Sequence, residues 1–222
     1  MKLNIIWIAM KKNPFHYIIP FVAVYVILPL IALSSINRFG MERSSYMVVF
    51  AAQSIIPVMC LLFPMAHFNI WLGNNGWEAL VASANRRPVC AEGVVILFIG
   101  HTTMLIPASF LFYSTYGFGL LEFLRLCSQC AFIMSLYYTC TTMSRNVTLG
   151  SLPVVVYLFF CLCLNDRADF SMFSILGLSN FANLISMQKY FVLCCISIVL
   201  LWRAAKSEHQ HLVIFDAKKW HK

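Results

Sequence analysis

The feature that most constrains this chain is a succession of long apolar stretches separated by short polar turns. A transmembrane helix needs about 20 mainly apolar residues, which is close to the length of these stretches. We expect an all-α, polytopic integral membrane protein with six transmembrane helices, because only helices or closed barrels satisfy their backbone groups inside a bilayer. The predicted spans run approximately over residues 14–36, 46–68, 93–116, 118–143, 147–164 and 190–202, the last with an alternative start near Leu184.

Composition excludes most soluble classes. Of the 222 residues, 61% are hydrophobic and only 11% are charged, against about 45–50% and 25% in soluble domains. So few charges cannot cover a water-facing surface, which argues against a soluble enzyme, a disordered chain or a nucleic-acid-binding domain. The nine cysteines lie mostly in apolar runs, where a free thiol behaves as a small hydrophobe, so we predict no disulfide framework and no metal site.

The net charge of +8 fits cytoplasmic loops that follow the positive-inside rule. With the N-terminus in the cytoplasm, eleven basic residues fall on the inner side and four on the outer side. The inner ones are Lys2, Lys11, Lys12, Arg86, Arg87, Arg145, Arg203, Lys206, Lys218, Lys219 and Lys222, and the outer ones are Arg38, Arg43, Arg167 and Lys189. We therefore expect both termini to be cytoplasmic.

The chain divides into three parts. Residues 1–13 combine lysines, Trp7 and apolar residues in a stretch too short to span, which predicts an amphipathic helix in the plane of the membrane interface. Residues 14–205 form the six-span domain, with an extracellular hairpin over about 165–189. Residues 206–222 form a polar, basic cytoplasmic tail.

The sequence carries no catalytic motif that we can identify. HExxH is absent, and GLSN at residues 177–180 is similar to the GxSG of rhomboid proteases but lacks the second glycine. No GxxxxGK[ST] phosphate-binding loop occurs either. We expect a protein without its own catalytic site, so that if ATP drives it, a separate chain binds the ATP.

Glu122 is the only acidic residue within a predicted span, and Arg125 follows it at the spacing of neighbours on one helix face. This scarcity of acidic residues disfavours an ion-driven carrier. We expect a water-accessible pair near the outer end of the fourth span, contributing about 0–1 kcal/mol as exposed ion pairs do. The alternative is a polar spot that lines a translocation pathway. His101, in the third span, is expected to be a packed residue between helices.

The polar segment over about 69–92, between the second and third spans, carries the most informative pattern. It contains a glycine, an acidic residue, a leucine, a small residue, basic residues and a final glutamate in that order, namely Gly76, Trp77, Glu78, Leu80, Ala82, Arg86, Arg87 and Glu92. This pattern resembles the corresponding loop of ABC transporter permeases of the type 2 exporter class. The resemblance implies a coupling helix that docks on a cytoplasmic ATPase.

The same resemblance implies the remaining functional expectations. Ser144, Arg145 and Asn146 correspond to a second, shorter intracellular contact. The partners are ABC ATPase subunits, which hold ATP and Mg, a second permease copy or a sister permease, and the lipid bilayer, with no nucleic acid. No cofactor is expected in this chain. We expect a multi-pass protein of a bacterial plasma membrane. The aromatic-rich spans favour an amphipathic or hydrophobic cargo, such as a peptide, drug or lipid-like molecule.

Two other classes remain open at this stage. One is a substrate-binding uptake subunit with six spans, which contacts its partners through small residues such as AxxxA on the first span. That span contains only Ala23 and Ala32, which are not so spaced. The other is a membrane immunity or sensor protein that sequesters a peptide without transporting it. An ATPase encoded by a neighbouring gene favours the exporter.

Overall fold

The computed structural model describes residues 10–72, 89–116, 119–164, 174–176, 182 and 184–219. Within these ranges all regular secondary structure is helical, which confirms the all-α prediction. The elements in chain order are α1 (Pro14–Val22), a π-helical turn (Ala23–Ile27), α2 (Leu28–Met59), α3 (Leu62–Leu72), α4 (Val89–Tyr116), α5 (Leu120–Ser144), α6 (Val147–Cys163) and α7 (Leu184–Lys219).

Glycine and proline set the interruptions in the first two spans. Within α2 the chain changes direction at Gly40, whose φ of 74° is readily adopted only by glycine. The helix also stops at Cys60 and resumes at Leu62. Pro64 accounts for this second break, because its ring lacks an N–H donor for the carbonyl of Cys60, four residues earlier, and crowds it.

Among the described residues, five helical segments are long and apolar enough to cross a membrane. They are Pro14–Met41, Arg43–Asn69, Ala91–Tyr116, Leu120–Ser144 and Ile185–Glu208. These segments correspond to the first four predicted spans and the sixth, which begins at the earlier of its two predicted starts. The predicted fifth span corresponds to α6, a shorter apolar helix. The structure is therefore compatible with a multi-pass membrane protein, and the count of six remains a prediction.

The centre of the bundle is α5. It contacts α2, α3, α4, α6 and α7, most extensively α7. In the most apolar stretch of α5, 56% of the residues are buried, against 11% in α7. Thus α5 is enclosed by protein, whereas α7 presents only one face to the bundle.

Several predicted segments lie partly outside the described residues. Of the interfacial helix, only residues 10–12 are described, and they are helical. Of the loop over about 69–92, residues 73–88 are not described, and the hairpin over 165–189 is described only in part. The boundary predicted at residue 206 does not coincide with a helix end, because α7 continues to Lys219.

Candidate functional site

Polar side chains, all of them buried except the half-buried Lys189, gather at the N-terminal end of α5. We call this group the polar cluster, and its members are Gln53 of α2, Glu122, Arg125 and Gln129 of α5, and Lys189 and Tyr190 of α7. The three α5 residues follow one another at intervals of three and four, which places them on one face of the helix. The cluster therefore occupies the seam where α2 and α7 meet α5.

The ion pair between Glu122 and Arg125 lies inside the protein. Arg125 Nη2 and Glu122 Oε2 are 2.6 Å apart, and neither residue is more than 3% exposed. Gln53 Nε2 donates a hydrogen bond to the same carboxylate oxygen at 3.3 Å. The prediction of a water-accessible pair is therefore wrong, and the energetics of a buried pair apply instead of those of an exposed one.

The polar cluster binds a non-helical segment of the chain. Residues 174–176 have no regular secondary structure, yet all three are at most 3% exposed. Gln129 Nε2 donates to the carbonyl of Ile175 at 2.6 Å, and the Lys189 ammonium donates to the carbonyl of Ser174. The backbone N–H of Ala182 donates to Glu122 Oε1 at 2.5 Å. The cluster thus supplies partners for backbone groups that no helix satisfies.

The position of Gln129 indicates how far this segment reaches into the bundle. Gln129 lies nine residues after Leu120, the first residue of α5, or roughly 13 Å along the helix at about 1.5 Å per residue. The hydrocarbon core of a bilayer is about 30 Å thick. Irregular backbone at such depth is tolerated only where protein surrounds it or a cavity receives it. The buried polar side chains meet that requirement here.

The cluster holds two cations and one carboxylate around an aromatic ring. The guanidinium of Arg125 lies 5.9 Å from the ring centroid of Tyr190, and the ammonium of Lys189 lies 5.8 Å from it. Tyr190 itself is 2% exposed. Cation–π contact of this kind stabilises positive charge where water is scarce.

A second group, the aromatic cluster, occupies the other end of α5. Its members are Phe68 of α3, Tyr137 and Tyr138 of α5, and Glu208 of α7. The ring of Phe68 lies 5.7 Å from each tyrosine ring. Tyr138 Oη donates to Glu208 Oε2 at 2.5 Å, a length typical of hydrogen bonds to carboxylates. Sixteen residues, or roughly 24 Å, separate Tyr138 from Glu122.

Glu208 changes the inventory of acidic residues in the spans. It closes the candidate span Ile185–Glu208, and it is only 2% exposed. Glu92 likewise falls within the candidate span that begins at Ala91. The expectation that Glu122 is the only acidic residue in a span is therefore wrong, because the helices extend further than the apolar stretches suggest.

The helices α5 and α6 meet in a short, well-defined turn. Arg145 adopts a left-handed conformation with φ 53°, which ends α5. The side chain of Asn146 then accepts hydrogen bonds from the backbone N–H groups of Thr148 and Leu149, which caps α6. Just beyond, a Cβ on Gly150 would lie 2.7 Å from the Cα of Thr141, so the two helices touch at the backbone.

The structure distributes the predicted site residues unevenly. Residues 76–87 of the coupling segment lie outside the described part of the chain, whereas Glu92 is half-buried at the start of α4. Ser144, Arg145 and Asn146 are exposed together in one turn. No group of three or more metal-binding side chains occurs among the described residues.

Sequence reasoning missed the partners of the ion pair. Gln53 and Gln129 lie within spans, and polar residues at such positions indicate contacts inside the bundle. Their presence in apolar stretches was the available signal.

Comparison of the chain with protein-family models, with curated proteins and with solved structures finds no match.

Proposed function

We propose that this chain is the membrane-spanning permease subunit of an ABC exporter. In this proposal it moves an amphipathic or hydrophobic cargo out of the cell across a bacterial plasma membrane. A separate ATPase chain binds ATP and Mg and performs the hydrolysis, and a second permease, identical or related, completes the pathway. The sequence pattern from Gly76 to Gly93 supports the family assignment.

One observation carries the proposal. The helix α5 runs without a break from the polar cluster to the exposed turn at its C-terminal end. The turn at Ser144–Asn146 is capped on both sides, and the Oγ of Ser144 donates to the carbonyl of Asn146 at 3.1 Å. A turn fixed in this way transmits a displacement to its helices instead of absorbing it. It therefore suits the second intracellular contact with an ATPase.

The aromatic cluster supports the same conclusion, because it joins α5 to its neighbours near that turn. Phe68 of α3, Glu208 of α7 and Gly150 of α6 all contact the last two turns of α5. Close packing of this kind moves as a rigid body when one of its members is pushed. A push on the turn would thus shift all four helices together.

The polar cluster is the natural place for such a movement to act on cargo. Transporter binding sites commonly combine non-helical backbone with polar groups inside the membrane. Residues 174–176 provide the non-helical backbone, and Gln129 and Lys189 provide donors that contact it. In our proposal, the polar part of an amphipathic cargo replaces residues 174–176 as the partner of Gln129 and Lys189. Its apolar part remains among the aromatic residues of the spans.

The first experiment tests the coupling segment. The full chain is purified from its native membranes, and the ABC ATPase recovered with it is measured. The double variant Glu78→Lys with Leu80→Asp should reduce that recovery several-fold while membrane insertion is unchanged, because it reverses a charge and removes an apolar anchor. Full ATPase recovery together with full transport in this variant would contradict the coupling role.

The second experiment tests the turn with a matched control. Arg145→Glu should lower ATPase recovery, whereas Arg38→Glu, an identical charge reversal on the predicted outer side, should leave it unchanged. Both arginines are exposed, so neither change disturbs the packed interior. Equal recovery from the two variants would remove the turn from the proposed interface.

The third experiment tests the orientation on which both proposed contacts depend. In a cysteine-free version of the chain, a single cysteine placed at Ser207 should react with a membrane-impermeant maleimide only after the cells are opened. Labelling from outside intact cells would show that the orientation is the reverse of the one proposed. The coupling segment would then lie on the wrong side of the membrane for an ATPase.

A further inference from the structure

A groove with apolar walls opens between α4 and α7. Its volume is about 470 Å³, and its lining is Ala91, Glu92, Val95, Ile96, Leu201, Trp202 and Ala205. All of these residues fall within the two candidate spans that begin at Ala91 and end at Glu208. The groove therefore lies within the membrane-spanning part of the protein, at the end of the spans where the aromatic cluster also lies.

The α4 wall and the α7 wall run in opposite chain directions. The start of the α4 span and the end of the α7 span therefore lie at the same end of the groove. Ala91 and Glu92 on α4 and Ala205 on α7 lie nearest the ends of the two candidate spans, and Val95, Ile96, Leu201 and Trp202 lie further in. The distance between these levels is about one helical turn, or roughly 5 Å. The lining residues further in are all apolar, and Glu92, at the level nearer the span ends, is half-buried.

An ammonium group lies next to the α7 wall of the groove. Lys206 follows Trp202 by four residues, so the two share a face of α7, and the Lys206 Nζ lies 5.4 Å from the Trp202 ring centroid. Lys206 and Trp202 are both exposed. The groove lining thus includes one carboxylate and one indole, with an ammonium beside that indole, a combination typical of a membrane interface.

We propose that this groove binds a phospholipid with an ethanolamine head group. The apolar walls take one acyl chain, Lys206 pairs with the phosphate, and Glu92 accepts hydrogen bonds from the primary ammonium of the head group. Charge complementarity selects this occupant, because a zwitterionic head group offers one group of each sign. A head group without an ammonium leaves Glu92 facing an anion, and a quaternary ammonium has no N–H to donate. This inference is independent of the proposed export function.

The test uses the delipidated full chain in detergent, with retained lipid counted by native mass spectrometry. The probes are phosphatidylethanolamine, phosphatidylglycerol and phosphatidylcholine with the same acyl chains. The wild-type chain should retain phosphatidylethanolamine about fivefold better than either of the others, the effect expected of one charged contact near a membrane surface. Equal retention of the three lipids by the wild-type chain would overturn the proposal.

Four variants separate the parts of the site. Glu92→Gln should abolish the preference for phosphatidylethanolamine, and Lys206→Gln should weaken all three lipids by about fivefold. Arg203→Gln removes an exposed charge from the same helix at a position that does not share the Trp202 face, and it should change nothing. Ala205→Trp should fill the groove and exclude every lipid while the chain remains monodisperse.

Two outcomes of the variant series count against the site. An equal loss of lipid from Arg203→Gln and Lys206→Gln would show only general attraction to a basic surface. Recovery of the wild-type chain as a dimer that excludes all three lipids would assign the groove to a second copy. Either result would overturn the proposal, whatever the outcome of the ATPase experiments.

Discussion

The two ends of α5 are held together by different kinds of interaction. At the polar cluster, hydrogen bonds and an ion pair connect side chains from three helices to non-helical backbone at residues 174–176. At the aromatic cluster, ring contacts, the backbone contact at Gly150 and a single hydrogen bond between Tyr138 and Glu208 join four helices. Hydrogen bonds can exchange partners with small movements, whereas interdigitated rings resist any change of shape. The comparison indicates a deformable end and a rigid end on one helix.

The largest expected effect comes from unbalancing the charge in the polar cluster. Glu122→Gln removes the carboxylate that neutralises buried Arg125, and it should lower the free energy of unfolding by about 3–5 kcal/mol. Titration of the purified chain in mixed micelles with SDS measures this quantity. The double variant Glu122→Gln with Arg125→Gln should recover most of the loss, because Arg125 then carries no charge for Glu122 to neutralise, while Lys189 is unchanged. Additive losses in the double variant would show that the two residues do not act as a pair.

A smaller loss of stability is expected when the carboxylate of the aromatic cluster, Glu208, loses its hydrogen bond from Tyr138. Tyr138→Phe removes the donor to buried Glu208 and should cost about 1.5–3 kcal/mol in the same titration. Tyr17→Phe is the matched control, because the Tyr17 hydroxyl is buried and makes no hydrogen bond within the described part of the chain. It should change stability by no more than about 0.5 kcal/mol. Equal losses would mean that ring packing alone holds this end together.

The rigidity of the aromatic end predicts a low tolerance for added volume. Gly150→Ala places a methyl group 2.7 Å from the Thr141 Cα, and it should destabilise the protein by about 1–3 kcal/mol. Gly100→Ala is the control, since a Cβ there meets no atom within 4 Å. That change should be neutral or stabilise the helix by up to about 1 kcal/mol. If both substitutions stabilise the protein, the backbone contact between α5 and α6 is looser than described.

The smallest effect concerns the turn that adjoins the rigid end. Asn146→Ala removes the cap of α6 and should cost about 1 kcal/mol, whereas Asn146→Asp keeps an acceptor oxygen and should cost less. Both variants can be followed by SDS titration and by transport. Under our proposal, Asn146→Ala should also reduce transport more than its stability loss explains. A parallel decrease in stability and transport in the two variants would leave the turn with a structural role only.

The existence of the helices was largely predictable from the sequence, because long apolar stretches leave few alternatives inside a membrane. Their limits were less so, since α7 extends from Leu184 to Lys219, well beyond its apolar stretch. The spacing of Glu122 and Arg125 also predicted their contact. Their burial was not predictable, since it depends on Ala182 and Ile175, which lie 60 and 46 residues from the side chains that bind them. Glu208 escaped notice for a related reason. Its polar surroundings in the sequence suggest a solvated tail, and only the packing of α7 on Tyr138 shows that it is enclosed.

The distance in sequence between the ion pair and its backbone partners has a consequence for biosynthesis. Chains grow at about 5–20 residues per second, so several seconds pass between the synthesis of Glu122 and that of Ala182. During this interval α5 must enter the bilayer without the segment that later occupies the polar cluster. Arg125, made within the same helical turn, is already available to neutralise the carboxylate. The pair thus accompanies the nascent helix into the lipid, and the late-arriving segment completes a site whose two α5 charges were already paired.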